Sequence, residues 1–232
     1  YSNKTWRACA LCMLAALAMT TGCQNKPTET ADSTNAATDS VVAESPLDNA
    51  VVRAIMDRRS VRKYKPEPVP KEMLDVILHC GINAPNAMNE QRWEVRVTNS
   101  KAFIDGVTKV FVESAENDER VQKLVKNPDF HNMFRNAPTV IFVAGKADEK
   151  SSPIDCGMLG ENIMLAAQSM GLGTCCLGSA AGFLNSNPGA ANYLKQLAFS
   201  DGYELLYAIA IGYPDESPEA KPRDASKIRY IE

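Results

Sequence analysis

A chain of 232 residues, 45% of them apolar, suits one globular domain and is long enough to bury a sizeable core. Its net charge of −3 excludes a general nucleic-acid binder, which would carry a basic surplus. A basic cluster inside such a chain points instead to a small anionic ligand, and one is present in MDRRSVRKYKPEPVP at 56–70.

In chain order, residues 1–23 read as an address. Lys4 and Arg7 precede an apolar run at 8–19, and TTGC follows, ending at Cys23. A charged start, a short apolar centre and small residues before the cut describe a secretory signal. The run falls short of the ~20 residues that a membrane-spanning helix needs. Gly22–Cys23 resembles the cleavage site of a bacterial lipoprotein signal, which implies a lipid on Cys23 and a membrane-anchored domain on the periplasmic or surface face. Thr20 departs from that pattern, where leucine is usual. A plain signal peptide or an unprocessed leader is the alternative. Residues 24–45, rich in Thr, Ser, Asn, Asp and Ala and without an aromatic side chain, read as a flexible tether of about 25 Å reach.

Residues 46–232 form the expected folded domain. SPLD at 45–48 offers Ser45 as N-cap, Pro46 at the first helical position and Asp48 at the third, for a helix over 46–58. Pro70 opens a second helix, with Met73, Leu74, Ile77 and Leu78 apolar and Gly81 as its stop. WEVRVT at 93–98 alternates apolar and polar, as a strand with one buried face does. Residues 101–115 form a third helix, and the polar stretch 116–137 holds short helices covering a cleft. TVIFVAG at 139–145 is apolar throughout, hence a central strand. SPID at 152–155 repeats the capping arrangement and opens a long core helix. After TCCLGS, Pro188 leads a helix to about Leu197, ELLYAIAIGYP at 204–214 is another buried strand, and a basic tail closes the chain. The mixture predicts an α+β or α/β layered domain.

Outside the leader, Cys80, Cys156, Cys175 and Cys176 show neither zinc nor CxxC spacing and read as buried free thiols. His79 and His131 are too isolated to hold a metal, and none is expected.

RRSVRK allows two readings. Arg58 and Arg59 could complement the negative end of the first helix, their heads in water. Alternatively, planar guanidinium forks and the Ser60 hydroxyl could grip a phosphate. Three further segments bear on the choice. APNAMNEQRWEV at 84–95 carries Asn89 and Gln91, amides that both donate and accept. KPRD at 221–224 adds two cations, and IGYPDESPEAKPR directly follows the last core strand.

RRSVRKY, APNAMNEQRW, the DCGMLGENIMLAAQSMGLG helix and IGYPDE…KPR, in this order, resemble the FMN-dependent nitroreductase family over about 47–228. The resemblance implies an α+β layered fold with a central, mostly antiparallel sheet surrounded by helices. It implies a homodimer binding two FMN molecules at its interface, and ping-pong electron transfer from a donor such as NAD(P)H to a nitroaromatic, quinone or similar acceptor. Arg58, Ser60 and Arg62 would then hold the FMN phosphate and ribityl chain, with Arg59 contributing backbone and Lys221 and Arg223 joining at the phosphate. From the other subunit, Pro85, Asn86 and Ala87 would line the ring and Asn89 would bond its pyrimidine edge. Leu177 and Gly178 would bring backbone near the reactive nitrogen. The chemistry belongs to the cofactor, so no side chain is assigned as catalytic. Two residues depart from the family pattern: Asn86 stands where serine is frequent, and Arg92 where proline is. Arg92 either faces the pocket and favours an anionic substrate or forms a salt bridge outside it. Export would remove the protein from cytoplasmic NAD(P)H, leaving a redox partner as the other donor. Two other classes remain open: a tethered flavin- or ligand-binding lipoprotein without turnover, and a structural lipoprotein whose cations at 58, 62, 221 and 223 lie apart.

Overall fold

The computed structural model describes residues 45–232; the expected leader with Cys23, and the tether apart from its last residue, lie outside the described residues. In chain order the elements are α1 (Ala50–Asp57), α2 (Lys71–Ile82), β1 (Trp93–Thr98), α3 (Lys101–Ser114), α4 (Glu119–Val125), β2 (Thr139–Lys146), α5 (Ser152–Ser169), β3 (Gly173–Leu177), α6 (Gly178–Ser186), α7 (Ala191–Gln196) and β4 (Tyr203–Gly212). The strands form one sheet in the order β1-β2-β4-β3, with every neighbouring pair antiparallel. This is an α+β fold of the layered kind.

The period of two along β2 and β4 divides the core between the faces of the sheet. Val140, Phe142, Ala208 and Ala210 belong to one cluster, closed by Ile104 and Val107 of α3, Ala180, Ala181 and Leu184 of α6, and Phe134. Ile141, Val143, Ile209 and Ile211 belong to the other, covered by Cys156, Leu159, Ile163 and Ala167 of α5 and by Leu74 and Ile77 of α2. Each fully buried Phe, Ile or Leu contributes about 1.5–3 kcal/mol, so the two central strands anchor the domain from both sides.

Several local expectations are corrected. α1 begins at Ala50, because Asn49 rather than Ser45 is its N-cap, accepting the Val51 and Val52 amides. Ser45 closes the preceding turn, accepting the amide of Asp48 at 3.0 Å. Ser152 does not cap α5 either: its hydroxyl donates to the Arg92 carbonyl at 3.0 Å, and Ser151 holds the cap position. α2 runs one residue past Gly81, to Ile82. A Cβ at Gly81 would fall 2.6 Å from Ile163 Cγ1, so the glycine serves close approach of α2 to α5. Strand β3 and helix α6, absent from the sequence reading, lie between α5 and the Pro188-led segment. All four described cysteines are free, but Cys80 and Cys176 are exposed, not buried.

Candidate functional site

The basic stretch leaves α1 and crosses the edge of the sheet. Ser60 bridges Thr174 of β3, and the Val61 amide donates to the Thr174 carbonyl at 2.9 Å. Gly173 permits this approach, since a Cβ there would lie 2.8 Å from Val61 Cβ. Further on, the Lys65 amide donates to the Tyr213 carbonyl and the Asp215 amide to the Lys63 carbonyl, each at 2.9 Å. The chain entering the fold is thereby stitched to the chain leaving it.

Side chains on this stretch divide between two roles. Arg59 Nη1 donates to the carbonyls of Met56 at 2.6 Å and Arg58 at 2.9 Å, so it caps the end of α1. Arg58 is drawn inward; its side chain is 21% exposed and its Nε lies 3.6 Å from Glu161 Oε1 on α5. Arg62 Nη1 donates to the Ser60 carbonyl at 2.9 Å, and the Arg62 amide donates to Glu216. The positive charges are felt at two groups beside β3. Burial pushes the Cys175 thiol up, and the charges of Arg62, Arg135 and Arg58 pull it back. Burial, then Cys175 and Glu216, raise the Tyr64 hydroxyl, against which Arg62 and Arg135 act. The charges of three guanidinium groups, Arg62, Arg135 and Arg58, thus all act on the buried Cys175 thiol of β3.

Beyond Cys176, β3 turns into α6 at Leu177 and Gly178. Leu177 offers no side-chain cap, so the first amides of α6 remain available at the positive end of the helix. Apart from its chain neighbours and its own helix backbone, nothing lies within 4 Å of the place a Gly178 Cβ would occupy, which leaves open space beside the backbone here. This combination of guanidinium groups, open backbone and helix amides fits a phosphate-bearing ring compound that gains negative charge.

The 85–92 loop lies elsewhere. Asn86 Oδ1 accepts the Gln91 amide at 2.9 Å, and the Ala87 amide donates to Asp155 Oδ1 of α5 at 3.2 Å. Met88, Asn89 and Gln91 all have positive φ, at 53°, 56° and 49°. Arg92 faces carboxylates: it pairs with Glu90, lies 3.2 Å from Glu149, and donates to Ser151 at 3.1 Å, its side chain 17% exposed. Trp93 pairs with Gly145, and Gly145 with Glu204, whereas Gly173 pairs with Gly212 on the same strand β4. Three strand spacings of about 4.8 Å and eight residues of about 3.3 Å separate these corners, a diagonal of roughly 30 Å. Among the described residues, no hydrogen bond or ion pair joins Pro85, Asn86, Ala87 or Asn89 to Arg58, Ser60 or Arg62.

The model of the nitroreductase family matches residues 55–213. This chain belongs to the nitroreductase family. An NADPH-flavin oxidoreductase of Vibrio harveyi is 29% identical over 186 residues, 75% of this chain and 70% of the relative. The nitroreductase with bound FMN from Desulfitobacterium hafniense DCB-2 superposes with a TM-score of 0.72 at 26% identity, over 80% of this chain and 100% of that one. A nitroreductase with bound FMN from Bacteroides fragilis NCTC 9343 shares the fold, with a TM-score of 0.70 at 24% identity over 80% of this chain and 100% of that one.

For a nitroreductase-family chain, two residues at the basic corner escaped the sequence reading. Arg135 sits in a polar loop at φ 59°, where Asn132 Oδ1 accepts the Phe134 and Asn136 amides. Only its unusual backbone marks it, and one sequence does not reveal that. Glu216, inside the tail motif, gave no signal beyond its charge. Lys221 and Arg223 are exposed on the tail, with Arg223 Nη1 donating to the Lys221 carbonyl at 3.3 Å. Their tail departs from beside Arg62, because Glu216 is held there.

Proposed function

We propose that this protein is an FMN-dependent oxidoreductase that works as a homodimer, taking electrons from NAD(P)H or a redox partner and passing them to a nitroaromatic, a quinone or a similar acceptor. The observation that carries the reading is the division of the site: a cationic, open-backbone corner at β3 and an amide-bearing loop at the opposite corner. A two-fold partner would bring its 85–89 loop to this protomer's basic corner and receive the same in return. An apolar groove of about 680 Å³ between α1, α2 and α5, lined by Ala50, Val51, Ala54, Val76, Leu165 and Ala166, supports a second copy as the covering surface.

In this arrangement Arg58, Ser60 and Arg62 hold the phosphate and ribityl chain, with Lys221 and Arg223 closing over them from the tail. Arg59, already engaged with the end of α1, contributes backbone. From the partner, Pro85, Asn86 and Ala87 line the ring and Asn89 bonds its edge. The amides at Leu177–Gly178 stabilise negative charge on the ring. When bound, FMN supplies the hydride acceptance and onward transfer of a ping-pong cycle. The electron donor turns on localisation. The leader motif supports a lipid anchor at Cys23 and an exported domain, for which a membrane or periplasmic redox partner would replace NAD(P)H. Among the described residues no helix is long and apolar enough to cross a membrane.

The visible absorbance of the purified full chain, followed by heat release and identification of the flavin, tests the reading. A yellow protein that releases FMN is expected. A colourless protein that also refuses added FMN would overturn it. Reoxidation of the reduced protein by a nitroaromatic or quinone faster than by air separates turnover from flavin storage.

A further inference from the structure

Among the described residues, two buried side-chain atoms lack a hydrogen-bond partner, Arg92 Nε and Asp155 Oδ2. Both belong to the joint between the 85–92 loop and the first turns of α5. An unpaired carboxylate oxygen on a residue only 4% exposed is a net cost to the fold. The neighbours of Asp155 on α5, Cys156 and Leu159, are core residues that gain nothing from a charge beside them. What Asp155 does engage is the Ala87 amide, through Oδ1 at 3.2 Å.

That bond falls where the backbone most needs a restraint. Met88 and Asn89, immediately after Ala87, both adopt left-handed φ, which side chains other than glycine disfavour. Within the loop, Asn86 Oδ1 holds the Gln91 amide and the Asn86 carbonyl accepts the Asn89 amide at 3.3 Å. Ser152 and Arg92 tie down only the far end, at residue 92. Besides the local bond from Asn86 Nδ2 to the Ala84 carbonyl at 3.3 Å, the hydrogen bond that reaches 85–89 from outside the loop, among the described residues, is the one Asp155 accepts from Ala87.

We propose that Asp155 is the positioning residue of the 85–89 segment, holding it from α5 in the shape that closes the flavin pocket of the partner protomer. The proposal rests on the FMN-dependent homodimer reading. Asp155 touches no cofactor itself; it acts through Ala87. A purely structural role is the competing account, because a carboxylate in the first turn also suits the positive end of α5. The two accounts differ in what an uncharged acceptor can restore.

The test compares the full chain with Asp155→Ala and Asp155→Asn, reading hydrogen exchange of peptides 84–92 after FMN is stripped, and FMN affinity by quenching of flavin fluorescence. For Asp155→Ala, exchange across 84–92 and the Kd for FMN should each rise ~10-fold, as loss of a charge-assisted bond implies, while α5 stays protected. Asp155→Asn, which keeps an oxygen for the Ala87 amide, should return both to within about threefold of the parent. An Asn variant as defective as Ala would overturn the proposal in favour of the helix-end charge, and so would exchange rising along all of α5. Ala87→Pro removes the donor at a helix-start position and leaves α5 untouched. In that background Asp155→Ala should change the Kd no further; additive losses would also overturn the proposal. If Asp155→Ala folds poorly, Ala87→Pro alone tests the same bond from the loop side: exchange across 84–92 should rise, and unchanged exchange would overturn the proposal. A parent chain that refuses FMN would sink the reading beneath the proposal and the proposal with it, and that failure appears in the binding signal, separately from loop exchange.

Discussion

The carboxylate of Glu216 accepts the backbone amide of Arg62, a contact spanning 154 residues of sequence. It fixes the start of the tail against the basic corner and orients the backbone from which the Arg62 guanidinium projects. Glu216→Ala is expected to weaken FMN binding by ~5–30-fold, from loss of about 1–2 kcal/mol at a partly exposed charge-assisted bond. Titration of the stripped protein with FMN measures it; an unchanged Kd would show that the tail start does not shape the grip.

In the proposed site, Arg62 and Arg223 would reach the phosphate from distant parts of the sequence. Replacing both by Ala should abolish retention of flavin through purification while leaving the fold intact. With charged bonds worth about 1.5–3 kcal/mol each, affinity should fall by at least ~100-fold. Absorbance of the purified variant and its circular dichroism are read together, and full flavin content would contradict the assignment.

Gly173→Ala addresses the same corner through the backbone. All three branch atoms of Val61 lie within 3.0 Å of the added methyl group, so the 60–62 segment must shift away from β3. Overpacking of this kind costs about 1–3 kcal/mol of stability. FMN affinity should fall along with stability, whereas a core variant remote from the site would lower stability alone. The measurement pairs urea denaturation of the stripped protein with flavin titration.

Glu94 joins β1 to the turn after α7, accepting from Arg96 and from the Ser200 amide at 3.2 Å. Burial opposes its charge, but the bonds from Ser200 and Arg96 outweigh burial and leave the carboxyl below its ordinary value of 4.5. A carboxylate whose folded pKa is depressed stabilises above the unfolded value and loses that contribution as pH falls through the folded one. Parent and Glu94→Gln should therefore differ in stability at pH 7 and converge below pH 4.5. Melting temperatures across pH 3–7 decide it, and a gap that does not close on acidification would refute the linkage.

For the leader, Cys23→Ser should move the protein from the membrane fraction to the soluble one. A variant that stays with the membrane would end the lipid-anchor reading.

How much of this was legible depended on whether the signal was local. WEVRVT announced β1 because alternation needs only its own six residues, and the apolar run at 139 marked a strand buried on both faces. The five residues of β3, with one glycine and two cysteines, carry little propensity; pairing with β4 makes them a strand. In α6 two glycines obscure a helix that the packing of Ala180, Ala181 and Leu184 sustains. For the first helix the capping pattern pointed to Ser45, but the turn at 45–48 claimed that residue and Asn49 caps the helix instead. At the site, Arg58 and Arg62 were readable from a dense motif. Arg135 was not, because a lone cation in a polar segment resembles any solvated charge. Asp155 was read as part of a capping pattern, and its bond to Ala87 spans 68 residues that only the fold brings together.

The stitching of 60–65 to Thr174, Tyr213 and Asp215 has a consequence for biosynthesis. The basic corner cannot exist on a growing chain until residue 216 has been made, however early its arginines appear. At ribosomal speeds of about 5–20 residues per second, that leaves roughly 8–30 s in which RRSVRK is present without its frame. Flavin capture must follow completion of nearly the whole domain, so a chain broken off before residue 213 will not withdraw cofactor from the cell.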